Sequence, residues 1–535
     1  MALAGIGFAK TQIEPTPPAR LWVRIEDAYG QPTAARMYVR SADGALHTPT
    51  LALKREISRT RETFFHARGR FQVEVPAGGC TIEAVKGFEY LPVSQELRLN
   101  SGQIADIKLT LRRSIDMPGL GWHSGDVHMH PNHVHYGVYM TMEDCALYAA
   151  AEDIRVANLL ISSAQSPHVF DTEYFRGGVP DPLSTPDVML VAQEEFRNTS
   201  AMYGHMALLG IRKLVEPFFT GESNSAHWED YPPNYTIARE VQDQGGAVCY
   251  THPANAPGIP VGPHLAREFP IDLALGVVDA LDVLGNGNEE GACWMYYQVL
   301  NCGLKCAASS GSDSRMDVMR HAVSGGGKVY VKVEGPLTYP KWVQSYKAGR
   351  TFVSNGPMLF LEVDGKGPGE EIRLGKPGTV RVTARAESMI PMTAIEVIVN
   401  GKVITSAKAS ADGKRAVISE NLPLQRSSWI AARVAGDGHR LVVNDPKVFA
   451  HTSPVYCYVG GSRIASVDDA RQCISWIDRL IQDVAVSPRF ASEERRKEVI
   501  ELFGKGRQYF QQQASGDKRA TGRTGLHVAA VTISS

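Results

Sequence analysis

The chain has 535 residues, of which 56 are Lys or Arg and 57 are Asp or Glu, so its formal net charge is −1. This balance excludes the basic excess typical of nucleic-acid-binding proteins, and no basic stripe stands out. Hydrophobic residues make up 43% and charged residues 21%, as in ordinary globular proteins, and the length predicts roughly three or four folding units.

The eight cysteines are scattered along the chain, and many lie in apolar runs. In a chain of this length that pattern predicts buried free thiols rather than a disulfide framework. No apolar run approaches the roughly 20 residues of a membrane-spanning helix. Residues 1–10 lack the basic segment of a signal peptide, so the sequence leaves the compartment open between a bacterial cytoplasm and the periplasm or exterior.

Residues 18–115 alternate apolar and polar side chains, which predicts β-strands, for example over 21–25, 35–39 and 70–75. Turn-forming residues separate these runs. Short strands at this spacing predict an N-terminal β-sandwich.

From residue 116 to 355, helical stretches alternate with short apolar strands. Thr141 and Asp144 form a capping-box pattern, which predicts the start of a helix. Two further helices, near 236–244 and 291–301, each end at glycine and lead into an apolar strand. Repeated helix–glycine–strand units predict an α/β fold, either a barrel or an open parallel sheet.

Residues 356–460 return to strand-like alternation and predict a second β-sandwich, in which Asn400-Gly401 is a two-residue hairpin turn. Residues 461–515 have helical periodicity, with Ile477 and Leu480 on an apolar face. The Gly-, Ser-, Lys- and Arg-rich residues 516–535 are expected to form a flexible tail.

The candidate chemistry begins in the segment that ends at His130. Alternate residues of a strand face one side, so Asp126, His128 and His130 are expected to project together. Two imidazoles on one face can bind a single cation, and Asp126 would orient one of the rings. His133 and His135, which follow, are either further ligands or polar loop residues, and the second interpretation is favoured.

Other imidazoles and carboxylates follow predicted strands of the central region, namely Glu194, Glu195, His252 and Asp313. His205 is the exception, because it precedes a strand. In α/β folds active-site residues gather at the carboxyl ends of strands, so this placement predicts one shared site. Imidazole and carboxylate ligands suit Zn²⁺, Mn²⁺ or Fe²⁺, and two cations fit if His252 and Asp313 share ligands with the paired histidines.

These motifs resemble a known family. The run Gly121–His130, together with Thr251-His252-Pro253 and Gly311-Ser312-Asp313, resembles the PHP-like metallohydrolases and in particular their carbaryl hydrolase-like branch, the CehA/McbA type. Arg350–Pro357 also looks like that branch. The resemblance is close over residues 118–360 and looser in the flanking regions.

The resemblance implies a distorted PHP-type β/α barrel, flanked by the two β-sandwiches and the C-terminal helices. It implies a divalent cation, with Zn²⁺ ahead of Mn²⁺ or Fe²⁺, and hydrolysis of an ester, amide, carbamate or phosphoester bond of a small molecule. The implied metal ligands are His128, His130, Glu194, His205, His252 and Asp313, and the implied catalytic residues are Asp126, Glu194, His252 and Asp313.

Two departures from the family pattern reduce the expected number of ions. The Thr-Asp-His motif of PHP phosphoesterases is missing near Asn158–Ser162, and the closing Asp-x-His is Asp313-Ser314-Arg315. Both changes remove potential ligands, so one or two ions are expected rather than three. Asn158 and Arg315 are instead candidates for contacting the substrate.

A rival interpretation is a non-catalytic protein that binds a carbohydrate or a partner and carries a structural or vestigial metal site. The two predicted sandwiches motivate it, because such domains often bind sugars or partners. Neither nucleic acid nor a membrane is expected as a partner, and a homo-oligomer stays open.

Overall fold

The computed structural model describes residues 17–134, 138–163, 167–285 and 287–515. The predicted tail over 516–535, residues 1–10 and His135 lie outside the described residues.

The N-terminal region consists of ten strands in three sheets, and the two larger sheets share one core. In the first strand every second residue is buried, and Leu21, Val23 and Ile25 pack against Met37 and other side chains of the opposite sheet. The strands predicted over 21–25, 35–39 and 70–75 are confirmed. The ten strands are β1 Ala19–Glu26, β2 Ala34–Ser41, β3 Arg55–Ile57, β4 Thr63–Arg68, β5 Arg70–Val75, β6 Gly78–Val85, β7 Tyr90–Leu91, β8 Val93–Leu99, β9 Ile104–Thr110 and β10 Arg112–Arg113.

The central region alternates strands with helices, as predicted. Thr141 caps the first helix, because its hydroxyl accepts from Asp144 N (3.3 Å) and the Asp144 carboxylate accepts from Thr141 N (2.9 Å). The strands are β11 Trp122–His130, β12 Val156–Ser163, β13 Val169–Phe170, β14 Met189–Asn198, β15 His205–Leu209, β16 Phe219–Thr220, β17 Ala247–Tyr250, β18 Ala280–Leu284, β19 Ala307–Ser310, β20 Ser314–Arg315, β21 Arg320–His321, β22 Lys328–Lys332 and β23 Thr351–Ser354. The helices are α1 Met142–Ala151, α2 Asn234–Asp243, α3 Phe269–Ala274, α4 Glu289–Asn301 and α5 Tyr339–Lys347, with a 3₁₀ turn at Thr172–Tyr174.

The main central strands β11, β12, β14, β17, β18 and β19 all run in the same direction. Strands β11 and β12 are buried along their whole length, as expected of parallel strands covered on both faces. Strand β15 lies between β14 and β17 and is antiparallel to both. The carboxyl ends of the six parallel strands and the beginning of β15 therefore share one edge of the sheet.

Strand β22 continues the sheet, antiparallel to β11 and to β23. Side-chain hydroxyls join β23 to β19, since Thr351 Oγ1 donates to Ala308 O (2.7 Å) and Ala308 N donates to Ser453 Oγ (2.8 Å). The centre is thus a mixed α/β sheet whose far strands approach each other, and closure into a barrel stays a prediction.

Part of the C-terminal β-region joins the central sheet, whereas the strands Met358–Val363, Gly378–Glu387 and Arg415–Leu424 form a separate three-stranded sheet. The strand Val448–Thr452 pairs antiparallel with β23, so hydrogen bonding crosses the predicted boundary at residue 355. The predicted hairpin at Asn400-Gly401 is confirmed, with left-handed φ values of 49° and 80°. The strands are β24 Met358–Val363, β25 Glu371–Leu374, β26 Gly378–Glu387, β27 Ala394–Val399, β28 Lys402–Lys408, β29 Arg415–Leu424, β30 Ser428–Gly436, β31 Val448–Thr452 and β32 Val455–Val459.

The C-terminal helical segment consists of two helices, α6 Val467–Val486 and α7 Glu493–Ala514. Ser492 caps the second helix by accepting from Arg495 N (3.2 Å), which fixes where that helix begins. Ile477 and Leu480 are buried on the apolar face of α6, as predicted. All eight cysteines are buried free thiols, and among the described residues no helix is long and apolar enough to span a bilayer.

Candidate metal centre

His128 and His130 of β11 lie at the shared carboxyl edge of the sheet and are completely buried. Their Nε2 atoms face each other at 2.9 Å. Asp313 Oδ1 lies 3.4 Å from both nitrogens. One ligand atom from each of the three residues falls within 4.8 Å of the others, which fits a single cation.

Glu195 of β14 is the carboxylate at the middle of the site. Its Oε1 lies 3.3 Å from His128 Nε2 and 3.1 Å from His205 Nδ1. The same atom is 3.9 Å from His252 Nε2, while Oε2 is 3.5 Å from His130 Nε2. His128, Glu195 and His252 form a second group whose ligand atoms lie within 4.8 Å. One carboxylate thus faces four imidazoles.

Strand direction explains why His205 joins the site although it begins a strand. Because β15 is antiparallel to its neighbours, its first residue lies at the edge where the other strands end. The sequence alone did not indicate this reversal.

Two of the candidate ligands have left-handed backbone conformations directly after strands, His252 with φ 31° and Asp313 with φ 46°. Such a conformation costs on the order of 1–3 kcal/mol in a residue other than glycine and is concentrated at functional sites. Gly311 allows the Asp313 loop to pass beside β11, since a Cβ there would lie 2.4 Å from His128 Cβ.

His264 is a site residue that the sequence reasoning missed. Its Nδ1 lies 2.9 Å from His205 Nε2, and its ring is 6.4 Å from that of His252 between centroids. It belongs to the irregular loop after β17, where no periodicity predicts the direction of a side chain. Its only sequence signal is its position in the same loop as His252.

Glu194 does not face the cluster, contrary to the expectation. Adjacent residues of a strand point to opposite sides, so Glu195 faces the histidines and Glu194 faces away. Glu194 Oε2 accepts from Val215 N (2.8 Å), and burial raises the pKa of Glu194 well above its usual value.

Asp126 does not orient a histidine ring, which corrects a second expectation. Its carboxylate accepts from three backbone amides, those of His128 (3.0 Å), Ser312 (3.0 Å) and Gly325 (2.8 Å). Asp126 therefore ties the loop that carries Asp313 to the strand that carries the paired histidines.

The two substrate-contact candidates and His133 also occupy defined places. Asn158 is fully buried. Its Oδ1 accepts from Tyr339 Oη (2.7 Å) and its Nδ2 donates to Asp126 O (3.0 Å), so the side chain is directed into the core and not towards a substrate. Arg315 is half-buried, and its Cα is the ladder partner of His130. His133 lies in the loop after β11, as interpreted, where it is buried and stacks on His130 with ring centroids 4.4 Å apart.

The electrostatics of the site favour a bound cation. Burial by itself would lower the pKa of His128, but Asp313 and Glu195 outweigh it and raise that pKa to about 9. Burial would likewise raise the pKa values of the two carboxylates, yet the His128 imidazole holds both well below their usual range. A proton therefore occupies, in the metal-free protein, the place where positive charge is most favourable.

The donor set fits a divalent cation of the zinc, manganese or iron type. Only imidazole nitrogens and carboxylate oxygens point into the two ligand groups, and these ions accept both. Two ring nitrogens 2.9 Å apart need a proton or a cation between them, because two acceptors cannot otherwise face each other.

Comparison with known proteins leaves the family open. No protein-family model and no curated protein matches the chain. Among solved structures it is similar to a two-domain protein containing a predicted PHP-like metal-dependent phosphoesterase from Bacteroides vulgatus ATCC 8482, with 12% identity, 63% of this chain and 95% of that chain covered, and a TM-score of 0.30.

It is also similar to Parabacteroides merdae β-glucuronidase, alone and with glycerol in its active site. Identity is 10% in both cases, 80% of this chain and 60% of that chain are covered, and the TM-scores are 0.16 and 0.17. Likeness at this level is too low to assign a fold or an activity, so function is inferred below from the metal centre itself.

Proposed function

We propose that the protein is a divalent-metal-dependent hydrolase that attacks an ester, amide, carbamate or phosphoester bond of a small molecule. The observation that carries the proposal is Glu195, a single buried carboxylate between two groups of imidazoles at the carboxyl edge of a parallel sheet. Zn²⁺ is the proposed ion, and the two overlapping ligand groups support one or two ions. The motif resemblance adds the proposal of a PHP-type barrel of the carbaryl hydrolase-like branch.

The residues of the chain have separable tasks in this proposal. His128, His130 and Asp313 would hold one ion, while His205 and His252 would extend the site on the other side of Glu195. A bound divalent cation lowers the pKa of water to roughly 7 and polarises the carbonyl or phosphoryl oxygen under attack. Asp126 positions the Asp313 loop, and the buried surroundings exclude bulk water.

The decisive experiment combines elemental analysis with a substrate panel. The purified protein is expected to contain one or two equivalents of a divalent metal and to hydrolyse an aryl ester or phosphoester. Chelation should abolish turnover, and Zn²⁺ or Mn²⁺ should restore it. His128→Ala is expected to lose both metal and turnover while its circular dichroism spectrum stays unchanged.

His227→Ala is the matched control, because His227 is exposed and lies outside the cluster. It should keep metal and activity. Full activity in His128→Ala would contradict the proposed site. Stoichiometric metal without turnover of any substrate would favour the rival, a carbohydrate- or partner-binding protein with a structural ion.

A further inference from the structure

Two arginines flank the metal centre on the face of the sheet that carries its ligands. Arg197 follows Glu195 by two residues on β14, so both side chains lie on the same face. Arg315 is the ladder partner of His130 between the parallel strands β20 and β11, so these two side chains also share a face. The ligands Glu195 and His130 thus each have a guanidinium group as a neighbour.

Neither guanidinium donates a hydrogen bond to a carboxylate among the described residues, although Arg197 forms a long ion pair with Glu195. Arg197 is 4% exposed, its Nη1 donates to Ser163 O, and its Nε lies 3.8 Å from Glu195 Oε2, too far for a hydrogen bond. The side chain of Arg315 forms no hydrogen bond or ion pair within the described ranges, and its Nε is buried without a partner. A buried donor left unpaired is costly, so an acceptor absent from the polypeptide is expected there.

His133 is another buried group beside the metal ligands. It stacks on His130, and its buried Nδ1 has no hydrogen-bond partner among the residues described. A third buried polar group beside the metal ligands thus has no partner in the described part of the chain.

We propose that Arg197 and Arg315 form an oxyanion subsite beside the metal centre, which binds a negatively charged group of the substrate next to the scissile bond. A guanidinium presents a planar fork of N–H donors that matches a carboxylate or a phosphoryl group. The subsite would select anionic esters over neutral ones. This inference rests on the proposed hydrolase function for its catalytic arm only.

The catalytic arm compares three substrates with the same leaving group. 4-Nitrophenyl phosphate and mono-(4-nitrophenyl) succinate carry the two kinds of oxyanion, and 4-nitrophenyl butanoate is neutral. Arg315→Gln is expected to lower kcat/KM for at least one anionic substrate about ten- to hundredfold, mainly through KM, because one charge-assisted hydrogen bond is lost. Turnover of the neutral ester should stay unchanged.

Arg320→Gln is the matched control. It removes a positive charge five residues away in the chain, at an exposed side chain that pairs with Glu56 (3.3 Å). It should leave all three substrates unaffected. An equal loss for neutral and anionic substrates in Arg315→Gln would overturn the subsite, since it would show a general role instead of recognition of charge.

The binding arm does not depend on turnover. Inorganic phosphate and succinate are titrated calorimetrically into metal-free protein, where no cation can bind them. Arg315→Gln should weaken the tighter of the two by about tenfold or more, and Arg320→Gln should not. Arg197→Lys, which keeps the charge but loses the fork, serves as a second variant and should also weaken binding.

The two arms separate the two proposals. Arg315-dependent binding of phosphate or succinate in a protein that hydrolyses nothing would retain the subsite and reject the hydrolase. Absence of millimolar binding of both anions to the wild-type protein, or binding unchanged in Arg315→Gln and Arg197→Lys, would reject the subsite whatever the enzyme does.

Discussion

The metal centre and the ion-pair network around Glu152 both place charge in the protein interior, but they compensate it differently. In the Glu152 network each carboxylate lies beside a guanidinium group. Glu152 Oε1 lies 2.8 Å from His66 Nε2 and 3.7 Å from Arg36 Nε, and Arg113 Nη2 lies 3.3 Å from Asp153 Oδ1. These groups join the N-terminal strands to the end of α1, and we interpret them as structural.

At the metal centre the carboxylates meet imidazoles, and the imidazole nitrogens also face each other. Guanidinium and ammonium groups stay charged at neutral pH and complete an ion pair by themselves, whereas imidazole gives up its proton and can then bind a metal. The comparison teaches that several imidazoles converging on one buried carboxylate, with two of their nitrogens facing each other, distinguish a site that accepts an ion from an internal brace.

The largest expected effect is the loss of activity when Glu195, the carboxylate at the middle of the metal centre, is replaced. Glu195→Gln should reduce kcat/KM by about thousandfold or more, because polarisation by the cation is worth several kcal/mol and each 1.36 kcal/mol is a factor of ten. Metal content, measured by elemental analysis, should fall with it. The adjacent Glu194→Gln should keep both metal and rate, and a similar loss in the two variants would reject Glu195 as the ligand.

The next largest expected effect is a loss of stability when the ion-pair network around Glu152 is disrupted. Glu152→Gln leaves Arg36 buried without its negative partner, and it should lower the free energy of unfolding by about 3 kcal/mol. Urea denaturation monitored by circular dichroism measures this, and metal content should not change. Glu334→Gln, which removes an exposed ion pair with Arg350 (3.0 Å), should cost less than about 1 kcal/mol. A loss of bound metal in Glu152→Gln would contradict the assignment of the Glu152 network as purely structural.

The smallest expected effect is the release of a proton from His128 when metal binds, which depends on pH. The pKa of His128 is raised to about 9 in the metal-free protein, above its unfolded value of about 6.5, so its stabilisation is complete below pH 6.5 and is lost as the pH rises through 9. Metal must displace this proton. Zn²⁺ binding at pH 7.5 should release about one proton, measured by calorimetry in buffers of different ionisation enthalpy. No release would mean that His128 is neutral before metal binds.

The Glu152 network should not respond in this range. Burial lowers the pKa of His66 despite the neighbouring Glu152, so its ring does not gain a proton at neutral pH. Unfolding free energies of metal-free His66→Gln and wild-type protein should therefore change in parallel between pH 7 and pH 9.

The sequence by itself determined the local elements of this protein. Alternation with a period of two predicted the N-terminal strands, the capping box at Thr141 predicted the start of α1, and Asn400-Gly401 predicted the hairpin between β27 and β28. These signals are local, because each depends on side chains a few residues apart. The spacing of His128 and His130 is local in the same sense, so their shared face could be predicted.

Only the tertiary structure decided which other groups meet them. The choice between Glu194 and Glu195 depends on which face of β14 points to the site, and β14 is buried on both faces, so no alternation shows it. His205 joins the site because β15 is antiparallel, and His264 joins it through the path of an irregular loop. Contacts between residues far apart in the chain depend on strand direction and loop path, and neither is set by the neighbouring residues alone.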